Sequence, residues 1–478
     1  MADVPSDIFF ATIEEINAHL LAKDFSCRDL TRAFCDRFEA LGPRYNAVAL
    51  SLREQALRKA GDVDDDLKRG RTRGPLQGIP YAVKDLLAVE RNPTTWGARP
   101  FAAQVFDENA KVVDDLNGTG AILIGKLSMI ELAGGGGYVL PSASMQGPGR
   151  NPWDRNRWAG GSSSGCGSAV AAGLVTFAIG SETSGSILTP SAFCGVTGFR
   201  PTFGRVSRRG AMTLSWTLDK LGPMCRTAVD CALVLHEIAG DDRRGDADAD
   251  RDRYFYTPQF NREPKEITIG YAPVDFDERA DPEARDAFRL ALDTIRDQGF
   301  QLKEVALPDF PYGAMLSTVL AGECGSIFED FIRSGEVDGL RDPEQIAGLK
   351  AYLELPSTDY LKAQRLRTMA QEELRTMMLD VPLFLAPTRY SVAPPLSQRL
   401  DADRGRPRPT DPGMSRLIPA GNLAGLPALS VPCGFADGLP LGLQIVGRAN
   451  WENQVIQVGK AYQDVTDWHR MQPPDAAV

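Results

Sequence analysis

The stretch GGSSSGCGSAVAAGLVTFAIGSETSGSILTP, Gly160 to Pro190, decides how this chain is read. Two glycines followed by three serines give a backbone free to turn tightly, and the small residues after them suit a helix packed close to its neighbours. The run GLVTFAIGS (173–181) is short and apolar, the pattern of a strand buried on both faces. A second serine-rich turn follows, with Ser181, Ser184 and Ser186 around a lone acid, Glu182.

The same texture extends outward. LQGIPYAVKDLL (76–87) and GAILIGKLS (120–128) are further short apolar runs. Such runs alternating with helical stretches predict a largely parallel or mixed sheet covered by helices. Downstream, EITIGYA, DPEARDAFRLALDTIRDQGF and QLKEVALP read as strand, helix and strand, residues 312–378 as mostly helical, LPALSVPCGF and LPLGLQIVG as two strands, and WENQVIQVGKAYQDV as a helix. Upstream, the first sixty-odd residues read as helices, with Thr12 and Glu15 at capping-box spacing and apolar residues at Leu30, Phe34, Phe38 and Leu41. The charged stretches GDVDDDLKRGRTRG (61–74), GDDRRGDADADRDRYF (240–255) and RLDADRGRPRPTDPGM (399–414) read as exposed connections.

The whole-chain properties narrow the function. A chain of 478 residues exceeds the usual single-domain range of about 50–250, so two domains or one large α/β unit is expected. With 43% apolar residues and a mean hydropathy of -0.22 the chain reads as soluble. No run is long and apolar enough for a membrane span and MADVPSDIFF lacks the layout of a signal peptide, so a cytoplasmic location is expected. A net charge of -10 argues against nucleic acid as a main partner, and the basic run KRGRTRG (68–74) reads as a solvated loop. The eight cysteines are scattered without a Cys-x-x-Cys pair, which favours reduced, buried thiols over zinc ligands or disulfides.

If a serine is the nucleophile, it needs a base. The chain has three histidines, His19, His236 and His469, none near the serine-rich stretch, so a Ser-His-Asp arrangement is not expected. GAILIGKL (120–127) approaches a phosphate loop but places Leu127 where Ser or Thr would hold magnesium, and Ala-Ile-Leu-Ile between its glycines is a strand pattern. Lys84, inside GIPYAVKDLL, is the other candidate base. At a strand end it could simply reach solvent. Buried, it could lose its proton: lowering a lysine pKa from about 10.4 to about 7 corresponds to about 4–5 kcal/mol of preference for the neutral form.

Lys84 in its apolar strand, GGSSSG with Ser162, and GSETSGSILTP with Ser186 together resemble the amidase signature family. Ser186 follows Ser162 by 24 positions, the spacing of that family. The resemblance extends to GPGRNPWD, to SAFCGVTGFRPTFGRVSRRG, and to GNLAGLPALSVPCGF with GLPLGLQIVG, over residues 10–465. It implies an α/β fold, a large mixed β-sheet sandwiched between helices in one large domain with a helical insertion. Within it, residues 1–65 would be N-terminal helices on the core, 66–245 the signature core, 246–415 a variable substrate-side region, and 416–478 the strands and helix completing the core.

The resemblance also implies roles. Ser186 would be the nucleophile, Ser162, preceded by a cis peptide bond, the bridge, and Lys84 the base that takes the proton through Ser162 and returns it to the leaving amine. The backbone N–H groups of Thr183, Ser184, Gly185 and Ser186 would form an oxyanion hole. Gly135 and Gly136, in AGGGGY (133–138), would give the substrate an open, roomy wall. No cofactor or metal is implied. Ser184 stands where the family has Gly or Ala. Leu188 replaces an arginine, which removes a charge beside the turn and deprives Glu182 of the ion-pair partner expected there. The expected function is a stand-alone serine hydrolase of small-molecule amides, and of esters, anilides or carbamates with apolar substituents, acting as a monomer or homodimer. The alternatives are the glutaminase subunit of a tRNA-dependent amidotransferase and a non-catalytic binding protein of the same fold.

Overall fold

The structure, a computed structural model, describes residues 4–240, 254, 256, 260, 262–402 and 410–476. Among these residues eleven strands form one sheet: β1 (Val48–Ser51), β2 (Pro80–Lys84), β3 (Ile122–Leu127), β4 (Phe177–Glu182), β5 (Thr197–Arg200), β6 (Lys220–Cys225), β7 (Thr268–Tyr271), β8 (Gln301–Glu304), β9 (Leu383–Pro387), β10 (Ala428–Ala436) and β11 (Leu439–Gly447). They lie in the order β1-β3-β2-β4-β6-β5-β10-β11-β9-β7-β8. Pairing is mixed. β2 runs parallel to both β3 and β4, β7 runs parallel to β8 and β9, and the strands between meet antiparallel.

Burial follows position in this order. β2, β4, β6, β9 and β11 are buried along their whole length, whereas β1 and β8 at the two edges are only partly covered. The two longest strands, β10 and β11, form a hairpin whose turn residues Asp437 and Gly438 both have positive φ, as a two-residue turn matched to strand twist requires. This hairpin sits between β5 and β9 and joins strands from the two halves of the chain.

The small residues of 160–173 act as read. The helix Ser164–Ala171 is wholly buried and packs on the helix Leu188–Cys194. A Cβ at Gly165 would come within 2.5 Å of the Ala47 carbonyl oxygen and 2.6 Å of the Ser128 nitrogen, so this approach is open only to glycine.

Thr12 and Glu15 form a reciprocal capping box on the helix Ile13–Ala22. Two readings of the N-terminal region need correction. It contributes a strand, β1, to the sheet edge. The charged stretch from Gly61 is a connection only after Lys68: the helix Arg53–Lys68 takes in 61–68, with Ala56, Ala60 and Val63 on its buried stripe and Asp66 taking Arg71 and Arg73 from the loop that follows. The phosphate-loop look-alike is β3, and its Lys126 is buried against Asp85 at 2.8 Å. All eight cysteines are free and buried. Most of the 240–255 stretch, and residues 403–409 of the 399–414 stretch, lie outside the described residues. No described helix is long and apolar enough to cross a membrane.

Candidate active site

Parallel pairing of β2 with β3 and β4 carries Lys84, the last residue of β2, into the interior at the same end of the sheet where β4 delivers Ser181 and Glu182. Lys84 is fully buried. Its Nζ donates to Ser162 Oγ at 2.7 Å and to Ser181 Oγ at 2.9 Å. The lysine therefore does not reach solvent. Burial lowers its pKa to about 7, against the opposing pull of Cys166, Asp219 and Glu182.

Ser162 precedes the helix Ser164–Ala171, and the peptide bond between Gly161 and Ser162 is cis. Beside it the Ser163 amide donates to the Ser186 carbonyl at 3.3 Å, and the Ser163 hydroxyl donates to the Ser181 carbonyl at 3.2 Å. These bonds tie the two serine-rich turns together. Ser186 sits 9% exposed before the helix Leu188–Cys194, and Ser184, two residues earlier, faces solvent. Gly185 has φ of 82°, a left-handed conformation that bends the chain around this opening.

Glu182 holds the turn from beneath. Its Oε2 accepts from the Ile187 and Leu188 amides at 3.0 and 3.1 Å, and its Oε1 accepts from Arg200 Nη1 at 2.8 Å and Asn422 Nδ2 at 3.0 Å. Burial alone would raise this carboxyl, but Arg200, Lys220 and these hydrogen bonds overcome it and hold the group at about 2. This corrects the expectation that Leu188 leaves Glu182 without an ionic partner: Arg200, at the end of β5, supplies one. Leu188 itself is fully buried in an apolar cluster with Leu417 and Ala420, so it does not line the opening as an uncharged substrate contact.

The glycine-rich loop also differs from its reading. A Cβ on Gly135 would meet Cys324 Sγ at 2.8 Å and Leu214 Cδ1 at 2.9 Å, and one on Gly136 would meet the Gln345 carbonyl at 2.3 Å. The expected open wall is filled by the helices Tyr312–Ile327 and Pro343–Tyr352, and these glycines permit that close packing. A cavity of about 600 Å³ is lined instead by Trp96, Phe101, Phe106, Met212, Phe328 and Phe331. It shares Ala211, Met212 and Thr213 with a small void that reaches Ser181, Thr183 and Asp219.

Several residues of this site escaped the sequence reading. Ser181, the second partner of Lys84, was visible only as one serine among several. Asp219 accepts from the Thr183 hydroxyl at 2.6 Å, and Lys220 Nζ donates to Asn422 Oδ1 at 2.7 Å. A buried lysine in the short apolar run KLGPM was the available signal. The histidines stay apart from the site: His19 pairs with Asp24 at 2.6 Å, and His469 is buried at the far tail, its pKa lowered to about 4 by burial.

A large mixed sheet between helices, with a buried lysine bonded to Ser162 on one serine-rich turn and to Ser181 at the strand end that leads into the other, is the architecture of the amidase signature enzymes. The family model for Amidase matches residues 29–456, and the chain belongs to that family. It is similar to glutamyl-tRNA(Gln) amidotransferase A subunits, with 35% identity to that of Alkalilimnicola ehrlichii over 97% of this chain and 98% of that protein. Among solved structures it resembles the peptide amidase of Stenotrophomonas maltophilia, with 29% identity, a TM-score of 0.82 and coverage of 98% and 99% of the two chains. A chain from a vestigial protein complex that reveals the evolutionary origins of an s-triazine catabolic enzyme is similar at 30% identity, with a TM-score of 0.86 and coverage of 95% and 98%.

Proposed function

We propose that this chain cleaves a carbon–nitrogen amide bond through an acyl-enzyme on Ser186. The observation that carries the reading is the fully buried Lys84 within 2.7 Å of Ser162 Oγ. A neutral lysine accepts the Ser162 proton as Ser162 takes that of Ser186, and the same relay returns a proton to the departing amine. The amides of Thr183, Ser184, Gly185 and Ser186 stabilise the developing oxyanion, where each donor is worth about 3–4 kcal/mol. Water then releases the acyl group.

The likeness to amidotransferase A subunits along nearly the whole of both chains favours work as the amide-hydrolysing member of such an assembly, freeing ammonia from glutamine for a partner. With a net charge of -10, contact with tRNA falls to that partner. Eight free, buried cysteines suit a reducing compartment. A second reading, a stand-alone hydrolase of amides, esters or carbamates with apolar substituents, is supported by the aromatic cavity that adjoins the void at Thr183. The test is to assay the purified chain on glutamine, on nitroanilides and nitrophenyl esters, and on aryl carbamates. Glutamine turnover that rises only with a co-expressed partner supports the amidotransferase reading. Rapid turnover of the aryl substrates by the chain alone replaces it with the second, and inertness toward all of them, with no labelling by a fluorophosphonate, removes both.

A further inference from the structure

The void that reaches Thr183 is bounded by the loop 211–219, and this loop is fastened at two buried carboxylates. Asp219 Oδ1 accepts from the Thr183 hydroxyl at 2.6 Å, while its Oδ2 accepts from the Leu214 and Ser215 amides at 2.7 and 2.9 Å. Glu323, on the helix Tyr312–Ile327, takes the next residues of the same loop. Its Oε2 accepts from the Ser215 hydroxyl and, at 3.1 Å, from the Thr217 amide, and its Oε1 accepts from the Thr217 hydroxyl at 2.7 Å and Tyr360 at 3.1 Å. Arg367, on the helix Ser357–Asp380, grips the Thr217 hydroxyl at 2.6 Å and carbonyl at 2.8 Å and reaches the Leu423 carbonyl at 2.8 Å. Asn422, one residue before Leu423, donates to Glu182. The turn carrying Ser186 is thus held at Thr183 and at Glu182 by bonds that both lead back to the helical layer.

We propose that Asp219 and Glu323 are positioning residues for the oxyanion turn: Asp219 fixes the Thr183 end of it, and Glu323 fixes the loop on which Asp219 depends. The inference rests on the reading that this turn stabilises the transition state. Neither carboxylate touches the reacting atoms. A carboxylate suits the place because it accepts from all three partners at once, whereas an amide side chain would keep the two backbone bonds only by turning its NH2 to the Thr183 hydroxyl, reversing that bond and losing the charge that shortens it. Preorganised donors owe their worth to being held before the reaction begins, so a loosened Thr183 lowers kcat and leaves KM nearly unchanged.

The groups facing Lys84 add a readout that packing alone would not move. They are Cys166 from the helix Ser164–Ala171, Glu182 from β4, and Asp219 from the residue before β6. A carboxylate at 219 favours the protonated lysine, so its removal moves the acid limb of the activity profile to lower pH.

The experiment measures kcat, KM and pH profiles for wild type, Asp219→Asn, Thr183→Val, their double variant and Glu323→Gln, on glutamine with the co-expressed partner or on a nitrophenyl ester, whichever the wild type turns over. Asp219→Asn and Thr183→Val should each lower kcat about 10²-fold, and the double variant should lose little more than either, because the two act as one unit. Asp219→Asn should also show the shifted acid limb, and Glu323→Gln a smaller kcat loss without that shift. Additive losses in the double variant, or losses confined to KM, overturn the proposal. Should Asp219→Asn fail to fold, Thr183→Val and Glu323→Gln decide it by the same kcat criterion. Fluorophosphonate labelling separates the two levels: an unlabelled wild type sinks the hydrolase reading, whereas a labelled wild type whose variants label and turn over equally fast sinks only the positioning role.

Discussion

Lys84 is where the chemistry and the cost of the fold meet. Desolvation pushes its pKa down to about 7, so the neutral form, which the proposed mechanism needs, prevails above that pH and is lost below it. Activity should therefore rise with pH through an apparent pKa near 7, as a pH–rate profile of kcat/KM would record. Lys84→Arg should be as inactive as Lys84→Ala, since a guanidinium keeps its proton throughout this range. A fully active arginine variant would reduce the residue to a positive charge and end the relay through Ser162. Ser186→Ala removes only the attacking oxygen, and we expect a loss of about 10⁴-fold or more with an unchanged melting curve. Retention of a tenth of wild-type activity would refute the assignment. The proposed triad residues stand out in the sequence because each lies in a short local pattern: a lysine in an apolar strand, or serines among glycines. Arg200 does not, because its partnership with Glu182 is made across strands by residues 18 positions apart, and no local pattern announces it.

At the scale of elements, the helix Leu188–Cys194 starts on a side chain from the strand before it. Glu182 occupies the place of an N-terminal cap, accepting from two of the helix's first amides. Its pKa is depressed from 4.5 to about 2, so the stability it contributes is present above about pH 4.5 and is lost as pH falls toward 2. Glu182→Gln should flatten that part of an acid-unfolding curve. Arg200→Met leaves the buried carboxylate without its nearest cation, and urea melts should show a loss of about 3–5 kcal/mol. A melt within about 1 kcal/mol of wild type, taking about 3 kcal/mol as the threshold of a broken buried pair, would mean that Lys220 and Asn422 suffice. Element reading succeeded where short apolar runs were bounded by turn residues, as in β4, β10 and β11. It failed over the second half of the helix Arg53–Lys68, from Gly61, where charge outweighed the narrow stripe continued by Val63, and at β1, a four-residue edge strand with no buried face to impose alternation.

On the scale of the whole molecule, the sheet class followed from apolar runs alternating with helices, whereas strand order was not legible. Pairing between β5 and β10 joins residues more than two hundred positions apart, and spacing along the chain says nothing of it. That order has a consequence for synthesis. As the chain leaves the ribosome, β1 to β6 emerge with Lys84, Ser162 and Ser186 already present, and β7 to β9 follow as a separate block. Each block then carries a bare flank, at β5 and at β9, until residues 428–447 arrive to bridge them. Unpaired flanks of this kind recruit other chains. A nascent polypeptide arrested before residue 428 should therefore hold all three proposed catalytic side chains yet remain inactive, bind chaperones and sediment as aggregate. Supplying the missing hairpin as a separate peptide should restore some soluble, fluorophosphonate-reactive enzyme. The last strands to be made act as the closing step of assembly, and a release of nascent chains that are active and soluble without them would show that the N-terminal block folds to completion unaided.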